Sequence, residues 1–161
     1  MTSTDYNKDF IQFSQVKGKI GFAKSFKKNF TFLFESEAGF TLGDVTSKTF
    51  DFLLGGYNQN FINNFIPFYG YDINALSEQS FLKSTFNVRF GVTDKQFIHF
   101  LANYARVDNS VLKGGDLFND TKSGYAFGYS INSIIGPIDL KYSWSPDTKK
   151  YYWYFNLGFW F

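Results

Sequence analysis

The strongest constraint on this chain lies in residues 136–161, where apolar and polar side chains alternate over a stretch long enough to cross a membrane. Ile138, Leu140, Tyr142 and Trp144 alternate with Asp139, Lys141, Ser143 and Ser145, the period of a strand with one apolar and one polar face. Pro146-Asp147-Thr148-Lys149 then reads as a turn. Lys150 to Phe161 returns as a second strand, with Tyr151, Trp153, Phe155, Leu157, Phe159 and Phe161 on one face. Its length matches a tilted membrane-crossing strand of about 9–11 residues. So apolar a strand at the edge of a soluble sheet would aggregate. A bilayer accepts its side chains, provided neighbouring strands pair its backbone. The competing reading is the last core strand of a soluble sandwich.

The remainder of the chain agrees with a membrane barrel. Aromatic residues make up 23% of the 161 residues, with 23 Phe and 11 Tyr. The mean hydropathy is nevertheless only -0.22, so apolar and polar residues are interleaved. No apolar run of about 18 residues exists, which excludes a spanning helix but leaves strands allowed. There are no cysteines, which fits an oxidising envelope compartment. A net charge of +2 gives no case for a nucleic-acid partner. Met1 to Asp5 lacks the apolar core of a signal peptide, so a leader has been removed or replaced, or the chain is a fragment.

Taken in order, the chain predicts an all-β, antiparallel transmembrane barrel of about eight strands over residues 9–161, preceded by a tail over 1–8. The first strand, about Phe10 to Ser25, and the second, from Phe30, are joined by a turn near Lys27. That turn would set Lys19 opposite Glu35 and Lys17 opposite Glu37 on the polar face. A third strand is predicted over Lys48 to Gly55, with Phe50, Phe52 and Leu54 outward and Asp51 inward. A long irregular loop over 56–79 follows, rich in Asn and aromatics, which argues that it packs against something. Next come Ser80 to Val92 with Arg89 inward, a less cleanly alternating strand over Gln96 to Val107, and a second long loop over 108–122. In Ser123 to Ser133, Tyr125, Phe127, Tyr129 and Ile131 alternate with Gly124, Ala126, Gly128 and Ser130. Those small inward residues leave room for a neighbouring loop. Lys17, Lys19, Glu35, Glu37, Asp51 and Arg89 are therefore the expected lumen charges.

Gly136-Pro137-Ile138 and the ending Phe155-Asn156-Leu157-Gly158-Phe159-Trp160-Phe161 resemble the last hairpin of the barrel-assembly superfamily, which contains BamA, TamA and the bacterial surface antigens. The ending is most similar to the branch whose barrel follows a patatin-like lipase domain or stands without an amino-terminal domain. The resemblance implies that Phe155, Leu157, Gly158, Phe159 and Phe161 form the carboxy-terminal assembly signal, read by the outer-membrane assembly machinery. Gly55-Gly56 and Phe68-Tyr69-Gly70-Tyr71 resemble that superfamily's Gly-Gly strand end and the Val-Arg-Gly-Phe motif of a loop that folds back into the barrel. Tyr69 stands where the Arg would be, so the loop's contact to lumen acids does not carry over. Five strands are predicted after the loop, as in the superfamily, so the chain resembles the carboxy-terminal half of its sixteen-stranded barrel.

A half-barrel has two edges that lipid cannot satisfy. Two copies joined first strand to last would make sixteen strands, and this homodimer is expected in preference to a closed eight-stranded monomer. Its inward Tyr152, Tyr154 and Trp160 would crowd a narrow interior. Catalysis is not expected. The single histidine, His99, has no Ser and Asp beside it in sequence, and Ser130 reads as a structural serine inside a strand. No Gly-x-Ser-x-Gly elbow or metal-ligand spacing is present, so no cofactor or metal is expected. The expected function is an outer-membrane scaffold or translocation conduit, with membrane lipid as its surroundings. The alternative is the barrel part of a lipase or acyltransferase whose catalytic residues lie elsewhere.

Overall fold

The computed structural model describes residues 13–26, 29–43, 48–57, 64–109 and 120–158. The expected tail, the turn near Lys27, most of the second long loop, Phe159 and Phe161 of the terminal signal, and the expected inward Trp160 lie outside these residues. Among the described residues no helix is long and apolar enough to cross a membrane. The architecture is all-β: a curved antiparallel sheet forming part of a barrel, with a small mixed sheet in which one pair is parallel.

Seven strands build that sheet: β1 (Ser14–Phe26), β2 (Phe30–Leu42), β6 (Ser80–Gly91), β7 (Gln96–Asp108), β8 (Lys122–Ser133), β9 (Gly136–Ser145) and β10 (Lys150–Leu157). Three short strands, β3 (Phe52–Leu54), β4 (Phe65–Ile66) and β5 (Leu76–Glu78), form a second sheet in the order β4-β3-β5. The main sheet runs β1-β2-β6-β7-β8-β9-β10, so the whole segment between β2 and β6 is passed over. Alternation works as expected. Val16, Ile20, Phe22, Phe90, Phe100, Phe127, Tyr151, Trp153 and Phe155 all project from the outer face and are exposed. Aromatic rings on that face also pack on one another, with Tyr125 against Trp144 at 5.8 Å and Tyr142 against Trp153 at 4.9 Å between centroids.

The third membrane strand predicted over Lys48 to Gly55 does not exist. Lys48–Phe50 is a 3-10 turn and Phe52–Leu54 belongs to the small sheet. Phe52 and Leu54 are 1% and 0% exposed, the opposite of lipid-facing. The cause is local: β3 pairs with β4 and β5, elements of its own loop, before it could reach the wall. Gly39 on β2 makes the space, since an added Cβ there would stand 2.8 Å from the Phe52 ring. The sheet therefore has seven strands where about eight were predicted.

That count changes the edges. Every pairing in the main sheet is antiparallel, so β1 and β10 run in the same direction. Eight strands would have set first and last in opposite directions. The hairpin register is also displaced from the sequence expectation: Phe26 pairs with Phe30, so Lys19 lies opposite Glu37, and Lys17 opposite Gly39. The loop expected to be irregular over 56–79 contains β4 and β5. The blurred alternation of β7 has its reason here too. Its inward Ala105 and Val107 are apolar because they, with Phe81 of β6, meet the apolar residues of the small sheet, while buried Leu101 lines the cavity beside the loop.

Candidate functional site

The loop between β2 and β6 folds onto the concave face of the sheet, and the two halves of its motif meet. Gly55 and Gly56 both adopt positive φ, 147° and 66°, a conformation open to glycine and strained for other residues. The turned backbone lets Gly56 N–H donate to the Tyr71 carbonyl at 3.2 Å, while its own carbonyl accepts from Phe68 N–H at 3.2 Å. Phe68 and Tyr71 are then buried with Phe52, Leu54, Ile66 and Phe81 in a small core.

Polar bonds fix this core to the wall. Tyr69 N–H donates to Asn103 Oδ1 at 2.9 Å, and Asn103 Nδ2 donates back to the Tyr69 carbonyl at 3.4 Å. Gly70 N–H donates to Ser143 Oγ at 3.2 Å. The Tyr71 hydroxyl donates to Asp147 Oδ2 at 2.8 Å, an oxygen that Ser123 N–H also reaches at 2.6 Å. Lys141 Nζ donates to the Tyr57 hydroxyl at 2.7 Å. The neutral Asn103 amide thus holds Tyr69 by its backbone where the resembling motif would use an Arg side chain, while Asp147 and Lys141 bond the Tyr71 and Tyr57 hydroxyls. Burial, followed by the neighbouring Asp139 for Tyr57 and by Tyr57 and Asp139 for Tyr69, raises both phenols above their ordinary range. Burial, with the bond to Asp147, pushes Tyr71 up to about 12, although nearby Ser145 opposes it. These rings stay neutral hydrogen-bonding groups at physiological pH.

Asp147 gives this docking a pH dependence with a definite sign. Burial raises its carboxyl, but the bonds from Ser123 N–H, the Tyr71 hydroxyl and the Ser123 hydroxyl, together with nearby Lys122, outweigh burial and lower it below the ordinary value. A depressed carboxyl contributes stability that is present above its unfolded pKa and lost as pH falls through the folded one. Protease cleavage within 56–79 is therefore expected to accelerate below the ordinary Asp range in wild type. Asp147→Asn should flatten that profile. An unchanged profile in the variant would remove Asp147 from the anchor.

The charged wall lies on β1, β2 and β6. Lys17 pairs with Glu37 at 2.9 Å, Lys19 with Glu35 at 2.7 Å, and Lys83 with Glu37 at 3.4 Å. The predicted partners are the right ones, although each β1–β2 pair runs diagonally across the register instead of directly opposite. Arg89 faces inward as expected and lies over the Phe97 ring at 4.9 Å. Asp51 sits in the docked loop, 5% exposed, where it accepts a bond from Ser77 Oγ at 2.9 Å. A cavity of about 380 Å³ remains between loop and wall, lined in part by Lys19, Glu35, Lys83, Asn87, Pro67 and Tyr69. Asn87 Oδ1 is buried without a hydrogen-bond partner among the described residues.

Sequence reasoning missed one cluster. Ser130 Oγ lies 2.8 Å from His99 Nε2 and donates to Asp139 Oδ1, bringing three residues together across β7, β8 and β9. With the Ser130 proton given to Asp139, His99 Nε2–H is the donor to Ser130. A serine nucleophile needs the opposite order, with the imidazole between serine and carboxylate. The cluster as built is a hydrogen-bond chain tying three strands, and only strand register could have revealed it. At the carboxy terminus, Phe155 and Leu157 project outward, and Gly158, with φ 97°, donates its N–H to the Pro137 carbonyl at 3.0 Å. Among the described residues no group of three or more His, Cys, Asp or Glu is placed to hold a metal.

A family model described as the OMP85 superfamily matches residues 1–161. No curated protein matches the chain.

Proposed function

Because the chain belongs to the OMP85 superfamily, we propose that it forms the loop-bearing part of an outer-membrane barrel serving as a membrane scaffold and translocation conduit, without catalytic residues of its own. The observation that carries this reading is the docked loop: it is held to the wall by hydrogen bonds at Asn103, Ser143 and Asp147, yet leaves a polar cavity beside the paired charges of β1, β2 and β6. A filled, purely structural interior would have no use for such a space. The reversed order of His99, Ser130 and Asp139 weighs against the lipase or acyltransferase reading.

The open edges require further strands. Two copies joined first strand to last, both upright in the membrane, would meet in the same direction at each seam, since β1 and β10 run alike. Parallel pairs are slightly weaker per residue than antiparallel ones. We therefore place strands running the opposite way against β1 and β10, in preference to a second upright copy.

Planar-bilayer recording of the full chain tests the conduit. Small ion currents are expected, and a variant with Asn103→Ala, which frees Tyr69 from the wall, is expected to conduct more. Silence in both, with the protein folded by unheated gel, would leave a scaffold alone.

A further inference from the structure

Resting on the conduit reading, we infer that the wall supplied by this chain selects for small anions. By register, the inward face of the main strands carries seven cations, Lys17, Lys19, Lys83, Arg89, Lys141 and, at the strand ends, Lys122 and Lys150, against three carboxylates, Glu35, Glu37 and Asp139. The distribution sharpens the excess. Glu37 is shared by Lys17 and Lys83, and Glu35 is taken by Lys19, so three ammonium groups stand on two carboxylates around the cavity. Arg89 has no carboxylate within ion-pair distance among the described residues and lies over a ring, while Lys141 is bonded to a neutral phenol. Asp139 accepts from Ser130 and keeps its charge near Lys141.

Asp51 and Glu78 of the docked loop and Asp108 of β7 are near one another toward the end of the sheet where the long connections lie. Their effect is felt at that mouth, and the narrow part between loop and wall keeps the positive balance. A passage with low-dielectric walls and one sign of excess charge raises the local concentration of the opposite ion. Rings of basic side chains favour anions by the same rule.

The reversal potential under a potassium chloride gradient reads this directly. The reconstituted full chain is expected to reverse toward the chloride potential. Lys19→Gln should weaken the preference several-fold at low salt, Glu35→Gln should strengthen it, and both effects should shrink as salt rises. The Lys19 side chain is 53% and the Glu35 side chain 33% exposed, so neither change opens a core. Potassium preference, or a preference that neither variant moves, overturns the selectivity and leaves the conduit standing. Absence of any current from folded protein overturns the conduit and the selectivity with it.

Discussion

Gly124→Val is expected to expel the docked loop. A Cβ at this position would stand 1.8 Å from the Tyr69 carbonyl oxygen and 2.7 Å from Asn103 Nδ2. The first obstacle is backbone, which cannot rotate aside. Room could be made only by separating the loop from β8, which breaks the reciprocal bonds of Asn103 and Tyr69 and draws Phe68 and Tyr71 from their core. Asn103 is fully buried, so its amide would lose its partners. Steric and polar losses together amount to about 3 kcal/mol or more. The checks are a lower urea midpoint for the compact band on an unheated gel and rapid proteolysis within 56–79. Gly18→Val is the matched control. No atom lies within 4 Å of the Cβ it would add, and wild-type behaviour is expected. A Gly124→Val protein with wild-type protection would mean that the loop does not pass against β8.

Phe52→Ala is expected to cost about 3–5 kcal/mol, the range for emptying a large buried aromatic site. The ring is 1% exposed and meets Phe81 edge-on at 5.0 Å between centroids. Phe90→Ala, on the outer face where the ring is 49% exposed, should cost less than half as much. The comparison is informative because period-two alternation treats the two phenylalanines alike. Equal costs would return residues 48–55 to the lipid-facing wall and restore the eighth strand.

Much of the wall was legible from side-chain alternation. β6, β8, β9 and β10 present the faces expected of them, and five wall strands do follow the loop. Within the loop, Gly56 bonds the backbone of Phe68 and Tyr71, and Gly55 bonds that of Ile66. Among the small residues of β8, Gly124 reserved the space that the Tyr69 backbone fills, and Gly128 the space that the Lys141 side chain fills. Other features could not be read this way. The charge pairs of β1 and β2 were named correctly from an incorrect register, because long Lys and Glu side chains reach diagonal neighbours as readily as opposite ones. His99, Ser130 and Asp139 belong to three strands, and their meeting depends on two registers at once.

From the sequence alone came an all-β chain whose strands carry an apolar aromatic face and a polar one, because alternation is a local consequence of the extended backbone. Tertiary structure decided what each apolar face meets. Phe52 and Leu54 were turned from lipid to an internal core by pairing with residues 65–66 and 76–78. That single reassignment set the strand count at seven, and with it the common direction of β1 and β10. Pairing between distant segments is a long-range property. A local period can announce a strand, but the neighbour that pairs with it, and so the face it buries, is chosen by contacts distant in the chain.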